Sequence, residues 1–329
     1  MNTGTSTSVL TQFVKRRRNA AIDPATPQIR AYIGCSQLGN DYMQELEGKV
    51  ALVTGGASGI GLAMVTSFAA NGMRVVMADI EEAALAAAAD SFSESNANVQ
   101  PVLLDVTDAG RFEDVVDEVE RDTGEVAVLC NNAGVGVGGH IADMTPKDWQ
   151  WVLSVNLQGV INGLQACAPR MRARGAGHIV NTASMAGQIG MIPNLSVYCA
   201  SKFAVVGLSE SAWMDLREEG VGISVLCPNL VRTNIMDSGR NRPSDLTGEL
   251  DNAAQILTVH VPDAERATVK AEMLGAALDP AVVGDMVVEA VKQGELYIFT
   301  HPETGEQLKN RFDGMLAACA RWDTYRTKS

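Results

Sequence analysis

The amino-acid sequence predicts an α/β fold: a doubly wound parallel sheet of about seven strands with helices on both faces, in a single domain. Three observations carry this. Short apolar runs alternate with longer helix-period stretches from Gly48 almost to the C-terminus. The runs are continuously apolar rather than alternating, as strands buried on both faces are. The chain has 329 residues, 46% of them apolar, which is enough for a well-buried core. No apolar run approaches the roughly 20 residues of a membrane span.

The elements follow in order. Val50 to Val53 is a strand that ends in glycines. Ile60, Ala63, Met64, Ser67 and Phe68 then recur at helix spacing, and Asn71-Gly72 closes that helix. Arg74 to Asp79 is a second strand, followed by an Ala-rich helix over about Glu81 to Ser91. Val102 to Asp105 reads as strand three, Asp114 to Arg121 as helix, and Val126 to Cys130 as strand four. A long helix over Trp149–Arg172 precedes a strand at His178–Thr182. A second long helix covers Val197–Glu219, and Gly222–Cys227 is a strand ending at Pro228. Residues 232–275 look irregular and partly helical. Ala281–Lys292 is a helix and Glu295–Phe299 the last strand. The crossovers are expected to be right-handed.

Residues 1–44 stand apart. They carry five basic and two acidic residues and are rich in Thr, Ser and Asn, which predicts a disordered N-terminal extension. A transit peptide is the lesser alternative. Met43 lies just before the first strand, and a natural start there would make residues 1–42 an upstream extension. The folded domain is assigned to 45–329. The net charge of −13 argues against nucleic acid as a partner. The six cysteines are scattered without CxxC or zinc-ligand spacing. They read as reduced thiols of a cytoplasmic protein, with no metal and no membrane partner expected.

Thr54-Gly55-Gly56-Ala57-Ser58-Gly59-Ile60-Gly61 links the first strand to the first helix. Glycines there permit a tight turn and close backbone approach, and the helix N-terminus offers free N–H groups to a dinucleotide pyrophosphate, as in Rossmann-type folds. Asp79, at the end of strand two, is placed to accept bonds from ribose hydroxyls and to repel a 2′-phosphate. Ile80, Glu81 and Glu82 follow it, and Ser58 is not basic, so the pattern favours NAD over NADP. Tyr198 and Lys202 are four apart on one helix face. An ammonium at about 4 Å and an effective dielectric near 20 attracts a phenolate by roughly 4 kcal/mol. That is about what lowering a tyrosine pKa from about 10 to about 7 requires.

The TGxxxGxG spacing, Asn131-Asn132-Ala133-Gly134, Asn156, Ser184 and Tyr198-Cys199-Ala200-Ser201-Lys202 occur in one order across about residues 48–300. Together they resemble the short-chain dehydrogenase/reductase family. The resemblance implies an NAD-dependent oxidoreductase that moves a hydride between a secondary alcohol or ketone and nicotinamide. It makes Tyr198 the acid/base, Ser184 the group bonded to the substrate oxygen, Lys202 the ribose-binding cation, and Asn156 the holder of a relay water. It gives cofactor contacts at Gly55, Ser58, Gly59, Ile60, Gly61, Asp79, Asp105, Val106, Asn132, Ala133, Gly134, Tyr198, Lys202, Pro228, Val231 and Thr233. The Pro228-Asn229 pair departs from the family's Pro-Gly, and a left-handed Asn229 would preserve the turn. The resemblance also implies a homodimer or homotetramer built on the two long helices, with Trp213 at the interface.

Substrate choice is expected in loops. Ile189, Met191, Ile192 and Leu195, with Val135–His140, line one side. A lid over about 232–275 brings Ile235, Met236, Ile256, Leu257, Met273 and Leu274. This predicts an apolar pocket under a mobile lid, with Arg240 and Arg242 read as solvated surface charge rather than anion ligands. The length of that lid segment and the extended C-terminus resemble family members that act on bulky cyclic or aromatic alcohols, which implies such a substrate. The competing readings are a dehydratase or epimerase on the same fold, and a non-catalytic NAD-binding sensor or scaffold. The intact Ser184, Asn156, Tyr198 and Lys202 weigh against both.

Overall fold

The computed structural model describes residues 43–93, 97–247, 265, 268, 271–272 and 275–328. The expected N-terminal extension and lid residues Ile256, Leu257, Met273 and Leu274 lie outside the described residues.

Seven strands run β1 (Val50–Thr54), β2 (Arg74–Asp79), β3 (Val99–Leu103), β4 (Val126–Asn131), β5 (Gly177–Thr182), β6 (Val221–Cys227) and β7 (Tyr297–Phe299). They form one sheet in the order β3-β2-β1-β4-β5-β6-β7, every pair parallel. Among the described residues eight α-helices connect or follow them: α1 (Gly59–Ala70), α2 (Glu82–Phe92), α3 (Ala109–Asp122), α4 (Pro146–Leu153), α5 (Gly159–Arg174), α6 (Ser196–Leu216), α7 (Pro280–Gln293) and α8 (Gly305–Lys328). The order reverses between β1 and β4, so their loops leave in opposite directions and open a crevice at the strands' carboxyl ends.

Period-two side-chain alternation divides the core. Val50 and Leu52 of β1 pack with Phe112, Val115, Leu164, Met171 and Val205 on one face. Ala51 and Val53 pack with Met64, Phe68, Leu85, Val283 and Val287 on the other. On that second face α1 and α7 touch closely. A Cβ on Gly284 would sit 2.5 Å from the Ala63 carbonyl oxygen, and Ser67 Oγ donates to Asp285 at 2.8 Å across the contact.

Several boundaries differ from expectation. Strand three lies at Val99–Leu103, not Val102–Asp105, because its register is set by β2, with Val75 opposite Val99 and Asp79 opposite Leu103. Pro101 is tolerated there because β3 is an edge strand. Helix α3 begins five residues before Asp114, where the Asp108 side chain caps it by accepting from Arg111 N. The expected Trp149–Arg172 helix is three pieces: α4, a π-helical turn at Ser154–Gln158, and α5. Helix α8 had no counterpart in the sequence reading. Its Leu308 packs on the core and Arg311 lies 4.7 Å from the Phe203 ring, while Phe312, Leu316, Trp322 and Tyr325 are exposed. Among the described residues no helix is long and apolar enough to cross a membrane.

Candidate active site

The glycine turn at the end of β1, the Asn131–Gly134 turn after β4, and the segments after β5 and β6 surround a cleft of about 550 Å³. Steric demand explains the turn's composition. Gly55 has φ of +63°, and a Cβ there would meet Ala133 Cα at 2.9 Å. A Cβ on Gly61 would sit 1.9 Å from the Gly55 carbonyl oxygen, so no side chain fits. Ser58 caps α1 without a side-chain bond, and the first turn holds no acidic residue, which leaves the helix N-terminus available to an anion. Thr54 braces the opposite wall. Its hydroxyl donates to Cys130 O and accepts from Asn132 N at 2.9 Å, while Asn132 Nδ2 donates to Thr54 O at 3.0 Å.

Asp79 closes one end of the cleft. Its Oδ2 accepts from Ala57 N and its Oδ1 from Glu81 N, both at 3.0 Å, so the carboxylate is oriented by the glycine turn itself. The cap position of α2 belongs to Glu81. Asp105 and Val106 also line this end, with Asp105 Oδ1 held by Thr107 N and Oγ1. These features fit a dinucleotide: a cradle without side chains, an anion-ready helix terminus, and a carboxylate at the far end.

At the other end Lys202 is buried, and its Nζ donates to Thr182 O at 2.8 Å. Burial lowers its pKa to about 8. The ammonium lies 5.7 Å from the centre of the Tyr198 ring. Burial raises the Tyr198 pKa, and a hydrogen bond with Ser184 acts against that rise. The lysine ammonium is bonded to a backbone carbonyl, and burial is the largest influence on the phenol. Ser184 Oγ accepts from Ala186 N at 3.1 Å and donates weakly to Pro228 O at 3.4 Å.

Asn156 does not line the cleft. It is fully buried behind it, in the π-helical turn, where its Oδ1 accepts from Val135 N at 2.8 Å and its Nδ2 donates to Val135 O at 2.9 Å and to Ser201 Oγ at 3.1 Å. A Cβ on Gly134 would lie 3.4 Å from Asn156 Oδ1 and 3.5 Å from Lys202 Nζ, so that glycine separates the two side chains. The remaining expected contacts, Ile60, Pro228, Val231 and Thr233 among them, all line the cleft. Asn229 does not take the expected left-handed backbone: Asn194 is the non-glycine residue with positive φ among the described residues. The Asn229 N–H instead donates to Thr300 Oγ1 at 3.3 Å.

The profile of the family described as short chain dehydrogenase matches residues 49–243. A protein of Sphingobium sp. named C alpha-dehydrogenase is 31% identical over 84% of this chain and 88% of its own length. The chain belongs to the short-chain dehydrogenase family. A short-chain dehydrogenase/reductase from Burkholderia phymatum, solved in complex with NAD, matches this short-chain dehydrogenase with a TM-score of 0.77 at 37% identity, over 84% of this chain and 97% of that one. The apo form of LigO from Sphingobium sp. matches with a TM-score of 0.70 at 35% identity, over 87% and 97%.

In this short-chain dehydrogenase the wall around Tyr198 is apolar: Trp151, Met185, Ile189, Ile192, Leu195 and Met236 face the cleft. Met191 is 83% exposed and does not line it; nor does His140, whose Nδ1 accepts from Ala142 N. The reading of Arg240 and Arg242 as solvated charge holds for Arg240, which is exposed, and is overturned for Arg242. Arg242 is 2% exposed and paired with the fully buried Asp148 at 2.7 Å, its guanidinium 5.1 Å from the Trp151 ring. Arg240 pairs with Glu81. Sequence reasoning missed Asp148, although Thr145-Pro146-Lys147-Asp148 spells a capping box that the structure forms.

Proposed function

We propose that this short-chain dehydrogenase oxidises a bulky, uncharged, ring-bearing secondary alcohol with NAD, and reduces the matching ketone in reverse. The observation that carries the reading is a single cleft with Asp79 and the empty-handed N-terminus of α1 at one end and Ser184, Tyr198 and Lys202 at the other, under an apolar wall. Bound NAD supplies the hydride acceptor. Ser184 Oγ bonds the substrate oxygen and orients its carbinol carbon. Tyr198 takes the hydroxyl proton on oxidation and returns it on reduction. Lys202 bonds the nicotinamide ribose and, drawn toward the phenol, favours its ionised form. Asn156 fixes the backbone of Val135 and holds a water that links Lys202 to solvent.

No cation other than Lys202 lines the reacting end among the described residues, which supports an uncharged substrate. The assembly we propose is a homodimer or homotetramer in the cytoplasm, paired through α4–α5 and α6. The test is NADH formation against aliphatic, cyclic and aryl secondary alcohols, with NAD and NADP side by side. Turnover of cyclic or aryl alcohols with NAD supports the reading. Silence across the panel, with NAD binding intact, removes it in favour of a non-catalytic NAD-binding role.

A further inference from the structure

The two cations that line the cleft among the described residues are Lys202, at the reacting end, and Arg240, at the other. Arg240 belongs to a strap of 3-10 helix, Ile235–Asn241, that crosses the cleft. The strap is tied to both rims. On the β4 side Ser238 Oγ accepts from Gly136 N at 2.9 Å and donates to Gly136 O at 3.1 Å. On the β2 side Glu81 takes Arg240 in a two-pronged pair, Nε to Oε2 at 3.0 Å and Nη2 to Oε1 at 2.5 Å, and accepts from Asn241 Nδ2 at 2.8 Å. Arg242 then anchors the strap's end through the buried Asp148 and the Leu246 carbonyl. Arg240 is thus bracketed by fixed points at Ser238 and Arg242. Its guanidinium stands by construction beside the tip of β2, two residues from Asp79.

A guanidinium at that place is an apt ligand for a phosphate on the adenosine ribose, because its planar fork matches a phosphate edge. Glu81 occupies the fork. The third nitrogen, Nη1, is spent on the Asp237 carbonyl at 2.8 Å, so Arg240 has no edge left to offer. With Asp79 and Glu81 both ionised against one Arg240, the local charge is negative and repels a dianionic group.

We infer that Glu81 is a second determinant of dinucleotide choice: by sequestering Arg240 it denies the 2′-phosphate of NADP a partner that the strap otherwise supplies. The pair's mutual effect is consistent with this, since Arg240 holds the Glu81 carboxyl below its usual range and Glu81, with Asp79 beyond it, holds the guanidinium above its own. The inference rests on the NAD reading above. It extends that reading from the strand-end carboxylate to a residue pair that joins β2 to the strap.

The experiment is a double-mutant cycle read by calorimetric binding of NAD and of NADP to the full chain: wild type, Glu81→Gln, Arg240→Gln and the double variant. Glu81→Ser runs in parallel as a second way to free the guanidinium. The readout is the ratio of the NAD to the NADP dissociation constant. A charge-assisted bond of ordinary strength predicts that Glu81→Gln raises this ratio by at least about tenfold. Arg240→Gln alone should not raise it, and the double variant should lose most of the gain. The inference is overturned if both Glu81 variants leave the ratio at the wild-type value, or if the gain persists without Arg240. A wild type that prefers NADP overturns the NAD reading and this inference together. A wild type that prefers NAD without Glu81–Arg240 coupling overturns this inference alone.

Discussion

The acid/base assignment turns on one hydroxyl. Tyr198→Phe removes it and keeps the ring that packs beside Ser184 and Lys202. Turnover should fall by at least about 100-fold, the usual scale of a positioned proton-transfer group, while NAD still binds. Steady-state rates paired with calorimetry check this; a rate within tenfold of wild type removes the assignment. Asp79→Ala should narrow the proposed NAD preference, since it deletes a carboxylate fixed by Ala57 and Glu81 at the end of the cleft proposed to take the ribose. An unchanged NAD-to-NADP ratio would show that another group discriminates. His178 provides a residue-scale prediction outside the site. Its ring is buried in β5, and Ser224 Oγ already donates to Glu295 O at 2.5 Å, so the imidazole must donate its Nε2 proton to Ser224. The other nitrogen faces Gly222, where a Cβ would lie 2.3 Å away, and burial lowers the ring's pKa from 6.5 to about 4. As pH falls through 6.5 the unfolded chain takes a proton that the native one refuses, so stability drops until about pH 4. The most this one group contributes is about 3 kcal/mol. Urea unfolding across that window should show a shallower pH slope for His178→Gln; parallel slopes would exclude His178 as the source.

Helix α4, the π-helical turn and α5 form one continuous path, and the sequence was legible there only in outline. Apolar periodicity found the helix, and the resemblance singled out Asn156. Neither could find the extra residue of the π turn, because a single inserted residue shifts the apolar stripe by about 100° and blends into the scatter of a short window. Side-chain bonds to Val135 and Ser201, which lie 21 and 45 residues away, accompany that turn and are a tertiary property. Asn156→Ala would leave both backbone groups of Val135 and the Ser201 hydroxyl without this partner. A loss of about 1–3 kcal/mol in stability is expected, with a fall in kcat. Thermal unfolding and rates together test the element: an Asn156→Ala protein as stable as wild type would mean that water replaces the side chain. The same limit hid the strap. Arg240 and Arg242 sit in a polar stretch that reads as solvated charge, and their partners Glu81 and Asp148 are 159 and 94 positions away. Long-range pairing leaves no local periodicity to detect.

At the scale of the whole molecule the sheet order was largely readable, because alternation and the glycine turn both follow from a parallel sheet that must be covered twice. What was not readable is that the cleft is walled from both sides of the order reversal and bridged by the strap. The cleft draws on β1 and β2 on one side of the order reversal and on β4, β5 and β6 on the other, and its rims are joined by the strap through Gly136 and Glu81. A dinucleotide held in it therefore contacts both halves in the native state and has no equivalent site in the unfolded chain. Mass action then adds about 2.7 kcal/mol at a free concentration of 100 times Kd. For a domain of this size that is a rise in Tm of roughly 4 °C. NAD should produce the rise, and NADP at equal concentration should produce less. Asp79→Ala should shrink the NAD effect, because it removes the carboxylate that closes one end of the cleft. An equal rise with both dinucleotides would remove the charge argument at the ribose end, and no rise with either would remove the cofactor assignment itself.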